Sequence, residues 1–100
     1  MADIEGRVPS HPGTLLREIV LPAMRVSIAQ AAREMGVSRQ QLHKILAGDR
    51  AVTAEMATRL GKYCGNGPQL WLNMQNAYDL WNAQHALASE LDAIPTRATG

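Results

Sequence analysis

Residues Ser27 to Gly48 read SIAQAAREMGVSRQQLHKILAG, and this stretch decides the fold. Ser27 is placed to cap a first short helix whose apolar positions, Ile28, Ala31, Ala32 and Met35, recur at helical spacing. Gly36 supplies a residue that tolerates positive φ, and Val37 plugs the corner it makes. Ser38 caps a second helix with Leu42, Ile45 and Leu46 as its buried stripe. Ala32 is small where two steeply crossed helices must touch. The outward face of the second helix then carries Arg39, Gln40, Gln41, His43 and Lys44, side chains that donate hydrogen bonds to base edges or phosphates. Two helices, a glycine turn and this polar face are the layout of a DNA-binding helix-turn-helix. The same topology on a solvated polar face would be an ordinary piece of a helical bundle. The small residue, the Gly-Val corner, the Ser cap and the Arg-Gln-Gln run together favour the DNA reading.

Charge follows the same segment. Between Met24 and Lys62 there are seven basic residues and three acidic ones, while the residues on either side are slightly acidic. The net charge of +1 hides this concentration, which suits phosphate neutralisation.

Outside the motif, fifteen alanines and the lack of apolar–polar alternation predict an all-α chain of one domain. Residues 1–10 read as a flexible arm, 11–91 as the folded domain and 92–100 as a flexible tail. His11-Pro12-Gly13 punctuates the arm, and Leu15, Leu16, Ile19 and Val20 predict a first helix that Pro22 ends or kinks. Gly48-Asp49-Arg50 is a turn. Thr53 caps a fourth helix with Met56, Leu60 and Tyr63 inward and Arg59 and Lys62 in water. Gly65-Asn66-Gly67 stops it, and Pro68 opens a fifth helix that runs without a breaker to Leu91.

That fifth helix would be over about 30 Å long. Leu70, Met74, Ala77 and Trp81 fall on one stripe, and Leu80, Leu87 and Leu91 on a second that a four-helix core cannot cover. Part of this surface closes the core, and the remainder predicts a dimer contact through Trp71, Tyr78, Trp81 and Leu80.

Catalytic and cofactor patterns do not occur. His11, His43 and His85 lack ligand-spaced neighbours, there is no paired cysteine or HExxH, and GNG at 65–67 is not followed by Lys-Ser/Thr. Cys64, the single cysteine, reads as a buried inert thiol. No metal, no cofactor and no enzymatic activity are expected. With no signal-peptide core and no run of eighteen apolar residues, the chain is expected to be cytoplasmic and without a membrane partner.

Three stretches narrow the class: HPGTLLREIVLPAM from His11, SIAQAAREMGVSRQQLHKILAGDRAVTAEMATRLG from Ser27 and WLNMQNAYDLW from Trp71. Over residues 11–85 the sequence resembles the HigA family of antitoxins, within the Cro/C1-type helix-turn-helix class. The resemblance implies a five-helix, lambda repressor-like domain with a long C-terminal helix. It further implies a homodimer that binds palindromic operator DNA, represses its own operon and pairs with a HigB toxin, a RelE-like ribosome-dependent mRNA endonuclease.

Many phage-type relatives hold a phosphate with Gln at the start of the first motif helix, where this chain has Ile28, so Ser27, the following amides or Gln30 take that task. The expected DNA contacts are Ser27, Gln30, Ser38, Arg39, Gln40, Gln41, His43, Lys44 and Arg50. Toxin contacts are expected elsewhere, on the arm and first helix around Arg17 and Glu18 or on the tail beyond His85. A solitary regulator without a toxin shares the DNA chemistry. A protein-interaction module with an inactive helix-turn-helix does not.

Overall fold

A computed structural model describes residues 8–97, and its first helix begins at the HPG triplet. His11 caps it, with Nδ1 accepting the Gly13 N–H at 2.9 Å, and Pro12 occupies the first turn where its missing N–H costs nothing. Helix α1 is a continuous run of Pro12–Leu15, a π-turn over Leu16–Val20, and Leu21–Met24. Pro22 therefore does not end the helix. Its ring would crowd the carbonyl four residues back, and the wider π-turn just before it relieves that clash. The extra residue rotates the helix, so Ile19, expected on the apolar face, is 60% exposed. Arg25, at φ 58°, terminates α1 in the left-handed region that glycine usually fills.

The motif helices follow as α2, Ile28–Met35, and α3, Arg39–Leu46. Ser27 Oγ accepts the Gln30 N–H and Ser38 Oγ accepts the Gln41 N–H, each at 3.0 Å. Gly36 turns the corner at φ 76°. Helix α4, Ala54–Cys64, is capped by Thr53, and α5, Pro68–Ala86, starts after the Gly65–Gly67 break. Tyr63 ties α4 to α2 by donating its hydroxyl to Glu34; burial, then that bond, push its pKa up to about 12. Cys64, expected to be buried, is half-buried, and its partial desolvation raises the thiol pKa. Among the described residues there is no strand, and no helix is long and apolar enough to cross a membrane.

Leu16, Leu42, Ile45, Met56, Leu60 and Trp71 are the large side chains at the centre of the core. Trp71 corrects the expectation that it is a dimer contact: it is 0% exposed within its own chain, and its indole N–H donates to Asn66 Oδ1 at 3.0 Å. The inward stripe of α5 is Trp71, Gln75 and Tyr78, one residue round from the expected one, and Leu70 and Ala77 face outward. Gln75 hid this register because it is polar. Inside, its Oε1 accepts the Val52 N–H at 2.7 Å and satisfies an otherwise orphaned loop amide.

The fifth helix also stops earlier than expected. Leu87 leaves helical geometry at φ −102°, ψ 12°, and a short α6, Ala88–Ala93, follows it across the expected boundary at residue 91. From Asn82 to Arg97 every residue is exposed, and the molecule is drawn out to 50 Å along its long axis. The first seven residues of the expected arm and the last three of the expected tail lie outside the described residues.

His11 makes the fold sensitive to acid. Its ring is 5% exposed and meets Tyr78 edge-on at 5.1 Å. Burial holds its pKa below the usual histidine value; the nearby Arg50 carbonyl and Asp79 offset this only in part, and the carbonyl makes no hydrogen bond to Nε2. Because Nδ1 accepts the Gly13 N–H, the neutral ring carries its proton on Nε2, and a second proton would break the cap. The unfolded chain takes up that proton near pH about 6.5, whereas the folded chain resists it until lower pH. Thermal stability is therefore expected to be flat at neutral pH and to fall as pH drops below the unfolded-state value. His11→Asn keeps a capping acceptor and should flatten that limb in melts taken from pH 8 to 5. Glu34, whose pKa is lowered by the bonds from Tyr63 and Gln30, acts only further down, in the carboxylate range.

Candidate nucleic-acid interface

Helix α3 presents its N-terminal turn to solvent because Leu42, Ile45 and Leu46 hold the opposite face in the core. Next to that turn is a polar hollow lined by Ser38, Gln40, Gln41, Lys44 and Arg50. Arg50 reaches it from the following loop. Gly48, at φ 81°, reverses the chain, and the Gly48 and Asp49 amides donate to the carbonyls of Ile45 and Lys44 at 3.0 and 2.9 Å. The hollow thus combines two cations, two amides, a hydroxyl and the positive end of a helix, with no acidic residue in its lining. Such a lining can hold a phosphate while adjacent side chains reach outward.

Arg39 and His43 are exposed one turn apart on α3, outside the hollow. Ser27 and Gln30 stand on α2 and are not brought into it. The Ser27 hydroxyl caps α2, and Gln30 Nε2 donates along its own helix to Glu34 at 3.1 Å. Of the seven basic residues between Met24 and Lys62, Arg59 is the one not left fully exposed. Expected in water, it donates from Nη1 to the Met35 carbonyl at 2.8 Å, at the C-terminus of α2, and pairs with Glu55 at 3.2 Å.

Sequence reading also missed what sets the angle of α3. Arg17 Nη1 donates to the Leu46 carbonyl at 3.0 Å, holding the C-terminal end of α3 to α1 across twenty-nine residues. Gly13 packs directly on the backbone of Ile45, where a Cβ would come within 1.9 Å of the carbonyl oxygen. No local pattern announces either contact. The HPG triplet was legible as punctuation, but its role as a bearing surface for α3 was not.

The helix-turn-helix family model matches residues 16–71. Virulence-associated protein I of Dichelobacter nodosus is 43% identical over 85 residues, covering 85% of this chain and 79% of that protein. The structure of antitoxin GraA in complex with its operator is 36% identical with a TM-score of 0.84, over 95% of this chain and 96% of that one. The antitoxin HigA of Pseudomonas aeruginosa, solved with the higBA promoter, is 34% identical with a TM-score of 0.82, over 88% and 96%.

Proposed function

The chain belongs to the HigA family of antitoxins, DNA-binding helix-turn-helix regulators and not enzymes, and on that premise we propose that it is a dimeric repressor of its own operon that neutralises a HigB-type toxin by binding it. The observation that carries the DNA side is the hollow at the start of α3, where Lys44 and Arg50 flank Ser38 beside two glutamines. Here α3 enters the major groove with its N-terminal turn. Arg39, Gln40 and Gln41 read base edges. Ser38, Lys44 and Arg50 hold one phosphate stretch, Ser27 and Gln30 hold the backbone at the start of α2, and His43 lies along the groove wall.

A single α3 covers too few base pairs for specific binding, so two copies place their recognition helices about 34 Å apart on a palindrome. The toxin is engaged away from α3, on the arm and first helix around Arg17 and Glu18 or on the tail beyond His85. Repression of an operon places the protein in the cytoplasm.

Titration of a labelled duplex from the protein's own upstream region tests this. Gln40→Ala should relax preference at one base pair, a loss of about 1–3 kcal/mol of discrimination. Lys44→Ala should weaken all duplexes alike and reduce the slope of log affinity against log salt by about one. Unchanged affinity and preference in the Gln40 variant would remove it from base readout. Co-expression with the neighbouring toxin gene tests the second half: no co-purification and no rescue of growth would leave a repressor alone.

A further inference from the structure

The turn that carries Arg50 is tied at both ends and loose between them. Upstream, the Gly48 and Asp49 amides donate to the Ile45 and Lys44 carbonyls. Downstream, the Val52 amide donates to Gln75 Oε1 on α5 at 2.7 Å. Among the described residues, no hydrogen bond from the Arg50 or Ala51 amide ties the stretch between. The ring of His11 packs against this turn, its Cγ 3.8 Å from where a Cβ on Gly48 would stand. Tyr78 of α5 meets the same ring edge-on.

Nδ1 of that ring accepts the Gly13 N–H, which leaves the neutral ring with its proton on Nε2. Nε2 is therefore a donor, and it is buried without a partner. An orphaned N–H of this kind costs free energy that a small movement of a neighbouring carbonyl recovers. The Arg50 carbonyl stands beside the ring, short of a hydrogen bond.

We propose that His11 is a positioning residue for operator binding, and that its Nε2–H takes the Arg50 carbonyl when the Arg50 guanidinium takes a phosphate. This rests on the phosphate role of Arg50 proposed above and adds the group that holds it. Carbonyl and guanidinium belong to one residue, so docking the first on a fixed ring fixes the backbone from which the second projects. The ring is fixed by the Gly13 amide and by Tyr78. Without a phosphate, ordering the loose middle of the turn has no compensating contact, and the bond stays open. Lys44 lies within α3 and needs no such support.

The full chain carrying 15N-labelled histidine gives a direct view of the Nε2–H. Addition of the upstream duplex should move its proton resonance downfield and slow its exchange with water. In Arg50→Ala the carbonyl remains but the phosphate contact is gone, and the duplex should leave that resonance in place. Operator titrations form the second arm, with circular dichroism as the control for folding. His11→Asn keeps an acceptor for the Gly13 cap but is too short to reach the turn. It should weaken operator binding about fivefold to tenfold. It should also lower the slope of log affinity against log salt toward that of Arg50→Ala, which a fault in packing alone would not do. The double variant should bind no more weakly than Arg50→Ala alone.

A wild type that binds no upstream duplex refutes the DNA reading itself. If it binds and the Nε2–H resonance does not respond, or if the two substitutions add independently, the positioning role is refuted while DNA binding stands. Arg50→Ala binding as tightly as the wild type would remove Arg50 from the phosphate and this role with it. The wild-type resonance decides the matter even where His11→Asn does not fold.

Discussion

Gly13→Ala is expected to lower stability by about 3 kcal/mol or more, at the upper end of overpacking costs, and to weaken operator binding of whatever remains folded. For a domain of this size that corresponds to a drop of roughly 12 °C or more in Tm. An added Cβ would lie 1.9 Å from the Ile45 carbonyl oxygen and 2.8 Å from its carbon. Both atoms belong to the backbone of α3, and the Ile45 side chain is itself fully buried, so neither partner can step aside. Relief requires α1 and α3 to separate, which also stretches the Arg17–Leu46 bond and tilts the helix carrying Arg39 to Lys44.

Gly65→Ala is the informative control. There a methyl meets nothing within 4 Å, and the cost is only that of holding alanine at φ 78°, about 1–2 kcal/mol. Thermal melts of both variants, with operator titrations on the folded fraction, separate a contact effect from a conformational one. A Gly13 variant that melts within a few degrees of the wild type would show that α1 and α3 are not seated as described.

Trp71→Ala is expected to cost about 3–5 kcal/mol, the range for truncating a large aromatic in a core. It removes the largest buried side chain and leaves Asn66 Oδ1 without its donor. The effect should appear as unfolding of each protomer and not as dissociation of folded ones. Chemical denaturation and sedimentation on the same samples distinguish the two. Trp71→Phe, which keeps much of the volume but not the N–H, should fall between. A stable, folded, monomeric Trp71→Ala variant would restore the tryptophan to a subunit interface.

The helix-turn-helix was legible because its signals are local. A Ser cap acts within three residues, Gly36 turns the chain where its own φ demands it, and an apolar stripe repeats within one helix. The polar face of α3 could be read for the same reason, as what remains after the stripe is buried. Reading failed on α5, where Trp71 and Trp81 look alike in sequence. One is sealed in the core, while the other is half-buried and stacked on His85 at 3.6 Å. Hydrophobicity could not find Gln75 on the inward face, since its burial depends on an amide twenty-three residues away.

By itself, then, the sequence determined the two motif helices and α4 with their Ser and Thr caps, the order in which the elements follow and the face of α3 left in solvent. Each of these depends on interactions spanning a few residues. Tertiary structure decided which side of α5 is core, that α1 bears on Ile45 through Gly13, and that Arg17 and Arg59 anchor the C-termini of α3 and α2. Those contacts join residues twenty-three or more positions apart, and no local periodicity encodes which distant backbone group a buried polar side chain will meet.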